Sequence, residues 1–181
     1  MAHQDILQFP WHTAPVTVVG AIPYHITSQI LVNLAEHRGA ITKGMLVLQR
    51  EVALRVTAQP GTKAYGRLSV LGQYSWEIER VMTVPRSAFF PQPSVDSMCL
   101  ALLPKRPQAP DVQDEARFFD LVRAAFAHRR KTLVNCLGSD PAFRLSRAAA
   151  EALLESQRLP IAARGETLSL AQFAGLSNAL R

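Results

Sequence analysis

The chain's clearest pattern is the β-branched run Val16-Thr17-Val18-Val19, cut off by Gly20-Ala21-Ile22-Pro23-Tyr24. After the cut, Ile26, Ile30, Leu31 and Leu34 recur at helical spacing, with Thr27 or Ser28 placed to start a helix and Gly39 placed to end it. A buried strand, a tight turn and a helix are predicted. In open α/β sheets ligands gather at such carboxyl-terminal strand ends. Pro23 fixes its own φ and drives Ile22 towards extended geometry, so the turn is stiff.

Further along, the pattern alternates between strand and helix. His3 to Leu7 has the look of a strand's tail. Gly44 to Gln49 is predicted to be a central strand, apolar on both faces. Glu51 to Ala58 is a short helix stopped by Pro60-Gly61, and Leu68 to Gln73 fits either a buried helix or a buried strand. Tyr74 to Val84 reads as an alternating strand, Pro85 to Ser94 as irregular, and Val95 to Leu103 as the last strand. A proline-rich linker follows at residues 104–111.

Beyond the linker the period becomes helical throughout. Phe118, Phe119, Leu121, Val122, Ala125 and Phe126 mark an amphipathic helix that continues into a basic cluster. Ser146 is placed to cap a second helix and Ser169 a third. The expected architecture is α/β: a partial Rossmann-like sheet at residues 1–105, then a small all-helical domain at 112–181. No apolar run approaches the ~20 residues that span a bilayer, and no signal pattern opens the chain, so a cytoplasmic protein is expected.

At 181 residues, 48% of them hydrophobic, the chain is long enough to bury a core. Cys99, Cys136 and five scattered histidines have no ligand spacing, so no metal is expected. The net charge of +6 favours an anionic partner, of which nucleic acid is the commonest. Residues 121–147 carry Arg123, Arg129, Arg130, Lys131, Arg144 and Arg147 against Asp140 alone. Such a run reads either as a solvated face or as a set of phosphate contacts.

Four stretches, taken with Ala21-Ile22-Pro23-Tyr24, carry a resemblance. They are Lys63-Ala64-Tyr65-Gly66-Arg67-Leu68-Ser69-Val70, Phe89-Phe90-Pro91-Gln92-Pro93-Ser94-Val95-Asp96-Ser97, Arg129-Arg130-Lys131-Thr132 and Arg164-Gly165-Glu166-Thr167-Leu168-Ser169. Together, and in this order, they resemble the 16S rRNA adenine N6,N6-dimethyltransferases over essentially the whole chain. Alone, Ala-Ile-Pro-Tyr fits any buried strand ending in a proline turn.

The resemblance implies S-adenosylmethionine as cofactor, and small-subunit ribosomal RNA, within the small ribosomal subunit, as substrate. Ala21, Ile22, Pro23 and Tyr24 take the positions of the catalytic turn. Tyr24 and Phe89 would hold the target adenine between their rings, although Phe89 fits a core position equally well from its local sequence. Phe90 is expected to pack. Asp5 and Ala21 are the cofactor-contact candidates; Asp5 takes the position of a carboxylate that accepts from the cofactor's adenine, and fits an exposed residue near a terminus as well. Lys63, Arg67, Arg129, Arg130 and Lys131 are the RNA-contact candidates, the last three expected on a helix.

Two departures from the family pattern stand out. Ala21 replaces the family's asparagine, whose oxygen would accept from the reacting amine, leaving the Ile22 carbonyl as the remaining acceptor. No glycine-rich strand–turn–helix for the cofactor is present among the nine dispersed glycines. The chain is therefore expected to be the C-terminal part of a longer enzyme, with Thr17–Val19 left as an unpaired hydrophobic edge. A non-catalytic RNA-binding module derived from the family is the alternative.

Overall fold

The computed structural model describes residues 3–11, 15–105, 110–128 and 130–180. Two compact units emerge. The first comprises Met1–Thr57 and Leu71–Gln108, the second Ala58–Val70 and Ala109–Arg181. This departs in one respect from the expected division at 1–105 and 112–181: residues 58–70 belong with the C-terminal helices. Hydrogen bonds explain it, because Gly61 donates to the Glu166 carbonyl (2.7 Å) and Tyr65 Oη to the Leu168 carbonyl (2.8 Å).

The first unit is built on a four-stranded sheet in the order β1-β2-β4-β3. Its strands are β1 (Val16–Ala21), β2 (Ile41–Gln49), β3 (Trp76–Val84) and β4 (Ser97–Pro104). β1 and β2 run parallel, joined by α1 (Thr27–Glu36), while β4 is antiparallel to both β2 and β3. α1 buries Ile30, Leu31 and Leu34, the residues whose spacing predicted it. It starts at Thr27, but the Thr27 hydroxyl donates back to the Pro23 carbonyl (2.9 Å) instead of capping the helix. α2 (Arg50–Val56) follows β2, and the ambiguous apolar stretch resolves as a helix, α3 (Arg67–Ser75).

Four local expectations fail here. β1 is not a buried strand: it lies at the edge of the described sheet, none of its residues is buried, and Val19 is largely exposed. His3 to Leu7 is not a strand's tail: the Asp5 carboxylate accepts from Leu7 N (3.0 Å), and a 3-10 turn forms at Ile6–Gln8. Short polar side chains offer the backbone this local alternative to a sheet ladder. β2 is interior in the sheet but buried on one face only. Leu46 and Leu48 are fully buried, whereas Met45 is 45% exposed and its register partner Val19 on β1 is 73% exposed. β3 shows no alternation, because it is an edge strand whose register shifts between Arg80 and Met82.

The second unit is helical: α4 (Glu115–Ala127), α5 (Leu133–Ser139), α6 (Arg147–Ser156) and α7 (Leu170–Ala179). Ser146 and Ser169 cap α6 and α7 as expected, Ser169 in a reciprocal capping box with Gln172. Phe118, Leu121, Leu133, Leu137, Leu154 and Phe173 are fully buried at the centre. Burial pushes the Tyr65 phenol up to about 12. Gly165 lets the chain approach α4 closely, since a Cβ there would stand 2.8 Å from the Ala125 carbonyl oxygen. No described helix is long and apolar enough to cross a membrane.

Candidate nucleobase cleft and basic turn

Beyond β1 the backbone N–H of Ile22 still donates to the Val47 carbonyl (3.0 Å), so the strand's hydrogen-bonded path reaches the Pro23 turn. The Pro23 carbonyl accepts from Ile26 N (3.3 Å) and from Thr27 Oγ1, and is thereby committed to the helix start. Tyr24, at the mouth of the turn, is 37% exposed, and its hydroxyl shares a hydrogen bond with Ser97 Oγ (3.1 Å). That bond joins the β1 turn to the first residue of β4 and fixes the ring's tilt.

The proline-rich segment is held by its own bonds. Arg86 N donates to Asp96 Oδ1 (3.0 Å) and Arg86 Nη1 to the Ser94 carbonyl (3.4 Å). The Asp96 carbonyl accepts from Arg50 N (3.0 Å), which ties the segment to the start of α2. Pro91 and Pro93 stiffen the span between.

Ala21, Ile22, Pro23, Tyr24, Val47 and Phe89 line one cleft with Phe90, Pro91, Pro93 and Ser97; its volume is about 330 Å³. That is within the usual range of small-ligand sites, about 300–1,000 Å³. The two rings named from sequence, Tyr24 and Phe89, thus face the same space from opposite ends of the unit's sequence. Phe89 is half-buried. Phe90, expected to pack, does the opposite: it is fully exposed, at 102%. Nothing in the local sequence distinguishes the two phenylalanines; the backbone direction of the proline loop does. Ser97 and Val47 escaped the sequence reading, although Ser97 closes the Val95-Asp96-Ser97 stretch that pointed to this loop.

Asp5 is exposed and does not line the cleft; its Oδ1 serves Leu7 N. Among the described residues no cluster of three potential metal ligands occurs.

The basic residues sort differently from expectation. Arg130 and Lys131 are not on a helix. α4 ends at Ala127, Lys131 N closes a turn onto the His128 carbonyl (3.0 Å), and Thr132 caps α5. Leu133 N donates to the Ala163 carbonyl (2.8 Å), a tertiary bond that fixes the restart of the helix. Arg130 and Lys131 are exposed on this turn; Arg129 lies outside the described residues. Arg123 is spent in a forked ion pair with Asp140 (2.9 and 3.2 Å) and a contact to Asp120 (3.1 Å), which raise its pKa further. Arg147 pairs with Glu151 (2.8 Å). Lys63 is exposed, while Arg67 is half-buried with its Nε out of reach of any partner among the described residues.

The ribosomal RNA adenine dimethylase family model matches residues 1–180. The chain is 42% identical over 189 aligned residues to the ribosomal RNA small subunit methyltransferase A of Geobacillus sp. (strain WCH70), covering 99% of the chain and 65% of that relative. It is 45% identical over 166 residues to the protein of the same name from Bacillus mycoides (strain KBAB4), covering 91% of the chain and 57% of that relative. The chain therefore spans less than two thirds of either relative's length.

Two solved structures align well. A dimethyladenosine transferase from Plasmodium falciparum superposes with TM-score 0.73 at 25% identity, over 88% of this chain and 64% of that one. The 23S rRNA methyltransferase ErmE gives 0.64 at 28% identity, over 97% and 69%. Both likenesses agree with a mixed α/β chain of the Rossmann-like methyltransferase class, with a central sheet and helices. A match that runs through both units, from the Pro23 turn to the capped helices, has one consequence: the chain belongs to the ribosomal RNA adenine dimethylase family.

Proposed function

We propose that this chain carries the base-holding and RNA-holding parts of an enzyme that methylates adenine N6 in small-subunit ribosomal RNA with S-adenosylmethionine. The supporting observation is the shared cleft of Tyr24 and Phe89 at the end of a parallel strand. A base must leave its stack before its amino group can react. Two aromatic walls then replace the lost neighbours, each worth about 1–3 kcal/mol. The Tyr24–Ser97 bond sets one wall, and the tied proline loop sets the other. Adenine N6 is a poor nucleophile because its lone pair is delocalised into the ring. An acceptor that draws on an N6 proton localises that pair, and the carbonyl of Ile22, a cleft-lining residue, is the group we assign to it.

S-adenosylmethionine, when bound, supplies an electrophilic methyl group. Asp5 is the residue assigned to its adenine, with one carboxylate oxygen left beyond the bond to Leu7 N. The residues present form only part of a cofactor site, since the described sheet has no glycine-rich turn: among the described residues the one positive-φ glycine, Gly61, belongs to the helical unit. The second unit is assigned to RNA, with Arg130, Lys131, Lys63 and Arg67 as phosphate contacts and Arg129 as a sequence-based member of the same group. Ala21, which offers no side-chain acceptor, favours a second reading: an RNA-binding module without turnover.

Three measurements test this. Tyr24→Ala should weaken binding of an adenosine-containing single-stranded RNA about tenfold; unchanged affinity in a titration removes the clamp. Reversing Arg130 and Lys131 to glutamate should weaken RNA binding and flatten the log–log salt dependence by about 0.7–0.9 for each phosphate no longer neutralised. An unaltered slope removes the basic turn from the interface. Titrating labelled S-adenosylmethionine separates the readings: retained RNA binding with no cofactor binding supports the module.

A further inference from the structure

Among the described residues Phe90 is the largest apolar side chain left fully in solvent, and it stands on the lip of the cleft. It is not on a loose loop. Phe89 N and Ala88 N are bonded to Arg86 O (3.3 Å) and Pro85 O (3.0 Å), Arg86 is held to Asp96 and Ser94, and Pro91 and Pro93 follow. A bulky ring fixed in water, beside a space lined by two other rings, asks for a flat partner.

We propose that Phe90 stacks on the unpaired nucleobase flanking the adenine held in the cleft, and so selects RNA in which that neighbour is also unpaired. The inference rests on the reading of the cleft as an adenine site. When one base leaves a strand, its neighbour loses a stacking partner. An exposed aromatic at the cleft's lip restores that partner, without preference for base identity because every base has a π-face. Charge agrees with this occupant: the chain carries +6, and exposed Arg86, on the same loop, brings a cation beside a phosphate leading into the cleft.

The test uses the full chain and a hairpin RNA whose loop holds an adenine with 5-iodouridine next to it. Irradiation should cross-link the iodouridine to Phe90. Phe90→Ala should remove the cross-link and weaken binding about tenfold, and Phe90→Trp should restore both. Being fully exposed, the position tolerates these changes without unfolding. Replacing the loop adenine by an abasic site distinguishes the two levels. If that replacement weakens binding but Phe90→Ala does not, the stacking role is overturned and the adenine cleft stands. If neither changes affinity, both fall. A cross-link at another residue overturns the proposal. So does a change in self-association of Phe90→Ala at unchanged RNA affinity, which would make the ring a contact between copies.

Discussion

Asparagine in place of Ala21 should raise the rate of methyl transfer to adenine about a hundredfold, the usual scale for one preorganised electrostatic partner. Ala21 is the last residue of β1, exposed, and part of the cleft lining. Its backbone is held in register with Val47, so a longer side chain enters the cleft from a fixed base. Being exposed, the site loses no core packing on substitution. The amide oxygen would accept an N6 proton from the side of the strand, adding to the Ile22 carbonyl and localising the lone pair on the amine. The rate is to be measured in the chain joined to the part of the Geobacillus relative that the match does not cover, with the parent and the Ala21→Asn variant compared in the same fusion. A second readout needs no cofactor. In the isolated chain, the substitution should create a severalfold preference for adenosine over purine riboside, which lacks the amine. If rate and preference both stay unchanged, the side chain at this position does not reach the amine, and the assignment of the turn fails.

The order strand, turn, helix at β1 and α1 was readable because each local signal agreed: a β-branched run, a proline that removes alternatives, and a helical period behind it. The strand's burial was not, since a β-branched run looks the same at a sheet's edge. Tyr24 and Phe89 could be paired only through the resemblance; neither residue's neighbours distinguish a cleft ring from a core ring. Phe90 shows the limit of that reading, since two adjacent phenylalanines diverge by backbone direction alone, one half-buried and one fully exposed. The expected helix at Arg130 and Lys131 failed for another reason. The composition there suits a helix, but α4 ends at Ala127, and the Thr132 cap and the Leu133–Ala163 bond start α5 only at Leu133. The capping signal was in the sequence; the tertiary bond was not. Burial of β2 was misjudged because a run of apolar residues looks the same whether one face or two are covered. Met45 and Val19 show that one face is open among the described residues.

Phe173→Ala should destabilise the helical unit by about 3–5 kcal/mol. The ring is fully buried on α7 and lies 5.9 Å from Phe126 of α4, which in turn meets Tyr65 at 6.0 Å. Tyr65 is bonded to the Leu168 carbonyl just ahead of the α7 cap, so removing Phe173 opens a void inside a closed circuit of contacts. Natural domains hold only about 5–15 kcal/mol in total, so the loss is a large share of the unit's stability. Hydrogen exchange of the α4 and α7 amides should accelerate accordingly, and the urea midpoint of helix loss should fall. Phe90→Ala, at a fully exposed site, should leave both within about 0.5 kcal/mol. RNA binding separates scaffold from contact. Phe173→Ala should retain affinity in buffer and lose it at lower urea than the parent, because Arg130 and Lys131 keep their turn as long as α4 and α5 persist. Charge reversal at Arg130 and Lys131 should weaken binding at every urea concentration without moving the unfolding midpoint. Unaltered exchange in Phe173→Ala would mean that these helices are not held together by the aromatic cluster, and the basic turn would then lack the support assigned to it.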